Sequence, residues 1–293
     1  MAKTKARTKA KKPAVPGSPA KLPPRWVSAI RAVHPFPSLV VTAVTIAMAF
    51  IVDSQPALSV ALPLGLGMLC YQFAIGLAND LVDASDDAAN KPWKAIPRGV
   101  IPRRTAVVLV AALAGAGMLV TSALPLSAWL IGMAGLACGL AYDVQLKRTP
   151  LSWLPFALAV PLIPVWVFVA FDRWDALLWW AFPLGALLGL ALHLANQAPD
   201  VPKESQIRGL AHRLGTERSA NLALGLVGIA GIVAFVVLLF AGAATQAILT
   251  AGAVMLAGVM ARRAVRLFGA DGLFGLLAST AAVVAVLFVS AVA

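Results

Sequence analysis

Nine runs of mainly apolar residues, each about the length a helix needs to cross a bilayer, occupy most of this chain: 34–52, 57–78, 105–123, 126–144, 151–171, 176–195, 219–241, 244–261 and 272–293. Short gaps at 53–56, 124–125, 172–175 and 242–243 join antiparallel neighbours, whereas 79–104 and 196–218 are longer and polar. Only 12% of the 293 residues are charged, about half the share of an ordinary soluble domain. The reading is an all-α, polytopic membrane helical bundle, about nine spans around a central cavity, in one domain over 32–293. Cys70 and Cys138 lie inside apolar runs and suggest neither a disulfide framework nor a zinc site.

The net charge of +12 invites a nucleic-acid reading, but its distribution excludes one. Nine basic residues and no acidic one fall in positions 1–31, expected to be a disordered cytoplasmic tail near anionic headgroups. The other polar loops on that side bring the total to 23 of the 24 Lys and Arg, with Arg173 alone opposite. Positive charge accumulates on the cytoplasmic side. The chain is therefore read as a multi-pass protein of a bacterial inner or plasma membrane, N-terminus cytoplasmic and C-terminus outside. The bilayer is its expected partner, and no obligatory protein partner is evident.

Six acidic residues, Asp80, Asp83, Asp86, Asp87, Asp200 and Glu204, gather where two spans enter the long loops. Asp80, Asp83 and Asp87 stand at i, i+3 and i+7, one helical face with Asn79 beside them. Asn196, Asp200 and Glu204 repeat every four residues, in a segment that Pro199 and Pro202 make irregular. Carboxylates in a row repel one another unless a cation collects them. Hard oxygen ligands of this kind suit Mg²⁺, which keeps waters and takes few carboxylates together with substrate phosphates. Nearby Lys and Arg complete the logic of a diphosphate clamp. Lys94, Arg98, Lys147, Arg148 and Arg208 are the candidates for phosphate contact, with Lys94 and Lys147 foremost. Asp143, at the end of a span beside Tyr142, is a candidate to orient or deprotonate an acceptor, or else a partner for Lys147. His34 and His193 are further candidates to face a cavity.

Asn79-Asp80-x-x-Asp83-x-x-x-Asp87 resembles the first aspartate-rich signature of the UbiA-type intramembrane prenyltransferases. Lys91–Gly99 is similar to that family's basic segment, and Tyr142…Lys147-Arg148 to its Tyr…Lys-Arg element. Asp200 and Glu204 stand for the second motif, which departs from the family in having Glu at 204 and in being short before Gly209. The resemblance covers roughly 25–293 and implies nine helices and Mg²⁺-dependent transfer of a polyprenyl group from its diphosphate to a small-molecule acceptor, aromatic by the commonest pattern. With the residue chemistry it assigns Asn79, Asp80, Asp83, Asp87, Asp200 and Glu204 to metal and diphosphate; Lys147, from the Tyr…Lys-Arg element, and Asp143, from its place at the end of a span, are the catalytic candidates. A terpene cyclase of the same fold is the alternative. A cation transporter fits less well, because its carboxylates belong near the bilayer midplane.

Overall fold

The computed structural model describes residues 22–201, 208–269 and 271–293. The described residues form helices and connecting turns, with no strand among them. A short α1 (Arg25–Arg31) precedes α2 (Pro35–Val52) and α3 (Leu58–Val82); a second short helix, α4 (Ala84–Asn90), leads into a turn-rich loop. There follow α5 (Arg103–Thr121), α6 (Leu126–Val144), α7 (Leu154–Ala170) and α8 (Ala181–Gln197), the last entered through a 3₁₀ turn at Ala176–Trp180. After α9 (Leu210–Leu214) the chain closes with α10 (Thr216–Phe240), α11 (Ala244–Phe268) and α12 (Asp271–Val292).

Eight of these segments are long and apolar enough to cross a membrane, and α7, with 17 residues, is a shorter apolar helix at the lower end of spanning length. Together they match the nine expected runs one for one. Their outer faces leave Phe36, Leu39, Leu119, Ile232, Phe240 and Val259 more than half exposed. In water so much apolar surface would drive association, whereas in lipid it is the solvated face.

A bilayer favours polar groups that pair within the bundle, and α3 and α5 are joined by such a pair. Tyr71 and Thr121 share a hydrogen bond of 2.7 Å, and the Thr121 hydroxyl also lies 2.8 Å from the Gly117 carbonyl. Small residues set the close helix crossings. A Cβ at Gly185 of α8 would stand 2.6 Å from Pro161 Cα of α7, and one at Gly189 would overlap the Phe156 carbonyl. These contacts press α8 against α7 along the length that leads to Asp200.

The helices α2, α3, α6, α7, α8 and α12 surround a cavity of about 510 Å³. Val41, Met68, Leu136, Val160, Leu188 and Phe288 are among its apolar walls, and Asn79, Asp83, Lys94, Asp143, Lys147 and Asp200 line its polar end.

One expectation is corrected at the N-terminus. Residues 1–21 lie outside the described residues, but 25–31 of the expected disordered tail form α1. Tertiary contacts explain the order: Ser28 is buried and donates to the Trp93 carbonyl at 2.8 Å, while the Arg98 guanidinium donates to the Pro23 carbonyl.

Candidate functional site

The polar end of the cavity is built outward from the last turns of α3. Asp83 separates α3 from α4, yet its N–H still reaches the Asn79 carbonyl (3.0 Å) and its carbonyl accepts from the Asp87 N–H (2.8 Å). Helical hydrogen bonding therefore runs through the break and keeps Asn79, Asp80, Asp83 and Asp87 in the expected register. The helix nevertheless serves two surroundings. Asn79 and Asp83 line the cavity, whereas Asp80 and Asp87 are buried behind Lys94.

Lys94 Nζ lies 2.7 Å from both Asp80 Oδ1 and Asp87 Oδ2. Burial works against its charge, but the two carboxylates outweigh it and hold Lys94 above the ordinary lysine range. Burial pushes the Asp87 carboxyl up despite Lys94 opposing it. Asp80 Oδ1 is also 2.9 Å from His34 Nε2. His34 caps α2 at φ 49°, a left-handed conformation uncommon for a residue with a side chain, and it lines the cavity mouth.

Lys147 comes from a 3₁₀ turn (Leu146–Arg148) after α6, is almost fully buried, and pairs with Asp83. Asn79 donates to Asp143 Oδ1 at 2.7 Å. From the other half of the chain, Asp200 Oδ2 meets Lys91 Nζ at 3.0 Å. The two acidic segments thus converge on one cavity mouth with three lysines between them. Glu204 lies outside the described residues.

Three of the sequence-derived basic candidates go elsewhere. Arg98 is spent on α1, donating to Pro23 and to Ser28 Oγ (3.2 Å). Arg148 pairs with Asp86 at 3.3 Å on the exposed rim, and Arg208 is exposed; neither lines the cavity. Lys91 takes a place at the mouth that sequence reasoning did not assign it. Its spacing of four from Asp87 was the available signal, although its partner proves to be Asp200.

A buried cluster behind the mouth was also missed as a unit. Leu210 N–H donates to Ser152 Oγ (2.9 Å), so the Ser152 hydroxyl hydrogen is free to donate to His193 Nε2 (3.0 Å). A Cβ at Gly209 would stand 2.7 Å from the Lys147 carbonyl, so only glycine lets this strand of chain lie against the Lys147 turn. The arrangement fastens the far end of the second acidic segment to the turn that carries Lys147. His193 also stacks edge-on against Tyr142, the neighbour of Asp143, with ring centroids 5.8 Å apart.

No three acidic, His or Cys side chains among the described residues come close enough to hold a metal by themselves. Asp83 Oδ1 and Asp143 Oδ2 are buried without a hydrogen-bond partner among those residues. Unpaired carboxylate oxygens beside lysines fit a hard cation that takes its remaining ligands from phosphate and water.

A bundle of apolar helices of spanning length, with ion-paired carboxylates and lysines at one end of an apolar cavity, defines a multi-pass membrane protein with a polar site at one end. The model of the UbiA prenyltransferase family matches residues 39–272, and the chain belongs to that family. Among solved structures it is similar to a UbiA homologue from Archaeoglobus fulgidus bound to GPP and Mg²⁺, at 16% identity and a TM-score of 0.69, covering 90% of this chain and 99% of that one. It is similar to the apo UbiA homologue from Aeropyrum pernix K1 at 18% identity and a TM-score of 0.66, over 84% and 94% of the two chains. A digeranylgeranylglyceryl phosphate synthase structure matches at 16% identity and a TM-score of 0.62, over 92% and 99%. No curated protein matches.

Proposed function

We propose that this protein transfers a prenyl chain from a prenyl diphosphate to an acceptor, with Mg²⁺, at the cytoplasmic end of the bundle. The observation that carries the reading is the convergence of Asp83–Lys147 and Asp200–Lys91 on the mouth of one apolar cavity. The family and the relative bound to GPP and Mg²⁺ support it. Orientation follows from the basic residues, 23 of 24 of which fall on the site side, so the C-terminus is read as outside.

In this reading Asp83 and Asp200 are the principal metal carboxylates, with Asn79 beside Asp83 and with Asp80 and Asp87 fixing Lys94; Glu204, outside the described residues, is kept as a further ligand on the sequence pattern alone. Bound Mg²⁺ would neutralise charge on the diphosphate as it leaves. Lys147 and Lys91 exchange carboxylate partners for phosphate oxygens, while Lys94, held between Asp80 and Asp87, offers its charge to the diphosphate from where it stands. That exchange keeps the charge at the mouth nearly balanced and gives each lysine a stronger, transition-state partner. The allylic carbon–oxygen bond breaks with its electron pair leaving on diphosphate, and a nucleophilic atom of the acceptor bonds to the allylic carbon. The acceptor then loses a proton, with Asp143 oriented toward that task by Asn79. The apolar walls keep water from the cation. Tyr142 and Phe156, which line the cavity beside Asp143, favour a flat aromatic acceptor.

Purified protein incubated with Mg²⁺ and prenyl diphosphates of graded length should release diphosphate only when an aromatic acceptor such as a hydroxybenzoate or dihydroxynaphthoate is present. Release without any acceptor would instead support cyclisation. No release with any diphosphate or acceptor would overturn the reading.

A further inference from the structure

The short helix α1 has two faces with different fates. Trp26 and Ile30, four residues apart on the helix, are 67% and 53% exposed, as is Leu22 just before it (53%), while Ser28 and the C-cap Ala32 are 1% exposed. Arg25 and Arg31 flank the apolar stripe and are themselves exposed. The inner side is fastened to the loop that carries Lys91 and Lys94. Ser28 Oγ donates to the Trp93 carbonyl (2.8 Å), Arg98 donates back to Pro23 and Ser28, and Arg25 reaches the Gly99 carbonyl at 3.4 Å. Ala32 shares a buried cluster with Leu77 of α3 and with Ala95 and Ile96 of that loop.

Connectivity fixes where the outer side lies. The spanning helix α2 starts at Pro35, so α1 sits at the level of the bilayer surface on the side of the site. A Trp and aliphatic side chains between arginines are what an interfacial helix presents to lipid. Residues 1–31 hold nine basic and no acidic residues, which selects an anionic surface over a neutral one.

We propose that α1 is a membrane-docked brace. An anionic phospholipid surface holds Trp26 and Ile30 down, and α1 in turn immobilises the Lys91–Lys94 loop for the prenyl diphosphate. Docking removes freedom from the backbone of the loop that carries these two lysines, so anionic lipid should lower KM for prenyl diphosphate roughly 3- to 10-fold. The activity part rests on the proposed reaction, whereas the docking part stands without it.

The full chain is placed in nanodiscs of phosphatidylcholine alone or mixed with phosphatidylglycerol. Amide hydrogen exchange is read at 25–31 and 91–101, and diphosphate release is read at varied prenyl diphosphate. Phosphatidylglycerol should slow exchange in both segments and lower KM, leaving acceptor KM unchanged. The double variant Trp26→Asp, Ile30→Asp should lose both responses while matching the native chain in neutral nanodiscs. Unchanged exchange on adding phosphatidylglycerol, protection of 25–31 without 91–101, or a full response in the double variant would overturn the brace. Slowed exchange in both segments with no diphosphate release in either lipid would support the docking and count against the proposed reaction.

Discussion

The two acidic segments reach the same cavity mouth by different means. From Asn79 to Lys94 the carboxylates ride on continuous helical hydrogen bonding, and Asp80 and Asp87 share a lysine from their own segment. From Asn196 to Asp200 the helix has ended, at Gln197, and Asp200 is held by Lys91, which belongs to the other segment. Its downstream end is held by Ser152 and His193 through the Leu210 N–H. One half of the site is built into a helix; the other is tethered to it. Changes in the first half should cost folding as well as chemistry, and changes in the second should act through single tethers.

Lys94→Met breaks the comparison most severely, because it leaves Asp80 and Asp87 buried without their cation. Losing one partner of a buried pair costs about 3–5 kcal/mol, to be read as a lowered melting temperature in detergent. The pH dependence has a definite sign. Lys94 is raised above its ordinary value of 10.5, so its contribution is complete below pH 10.5 and is lost only as the pH rises through the higher folded value. The gap between native and variant should therefore stay constant through neutral pH and close in strong alkali.

Ser152→Ala tests the tether. It leaves the Leu210 N–H and His193 Nε2 without the hydroxyl, a loss of about 1–3 kcal/mol for buried groups. Thermal denaturation should show it, and exchange of the Leu210 amide should quicken before that of α3. Equal loosening of α3 would mean the two halves are one rigid unit.

The smallest effect concerns His212 in α9, next to that tether. Burial lowers its pKa below the ordinary 6.5, with Asp200 opposing. The folded state thus disfavours the proton, and the stability His212 contributes is present above pH 6.5 and lost as pH falls through the folded value. Melting temperatures followed downward from neutral should fall less in His212→Asn than in the native chain.

The bundle was legible because lipid leaves a chain few options: each span must be long, apolar and helical, and nine such runs are visible. The first acidic face was legible because a helical period survives the break at Asp83. What the sequence hid depends on tertiary closure. The helical repeat of Asn196, Asp200 and Glu204 does not foretell a helix that stops at Gln197, with Pro199 just beyond it, or a lysine arriving from residue 91. Arg98 reads as a phosphate contact by its neighbours, yet a buried serine and a carbonyl in the N-terminal segment claim it. The same contacts order α1, which composition alone assigns to a tail. Ser152 and His193 stand 41 positions apart and carry no local pattern that would join them.

If the proposed function holds, both acidic segments serve one metal–diphosphate site. Steady-state diphosphate release by Asp83→Ala, Asp200→Ala and the double variant tests it directly. Each single change should lower turnover by roughly 10²–10³-fold, and the double variant should be little worse than either, because residues acting as a unit are strongly non-additive. Full activity in Asp200→Ala, or losses that multiply in the double variant, would contradict it.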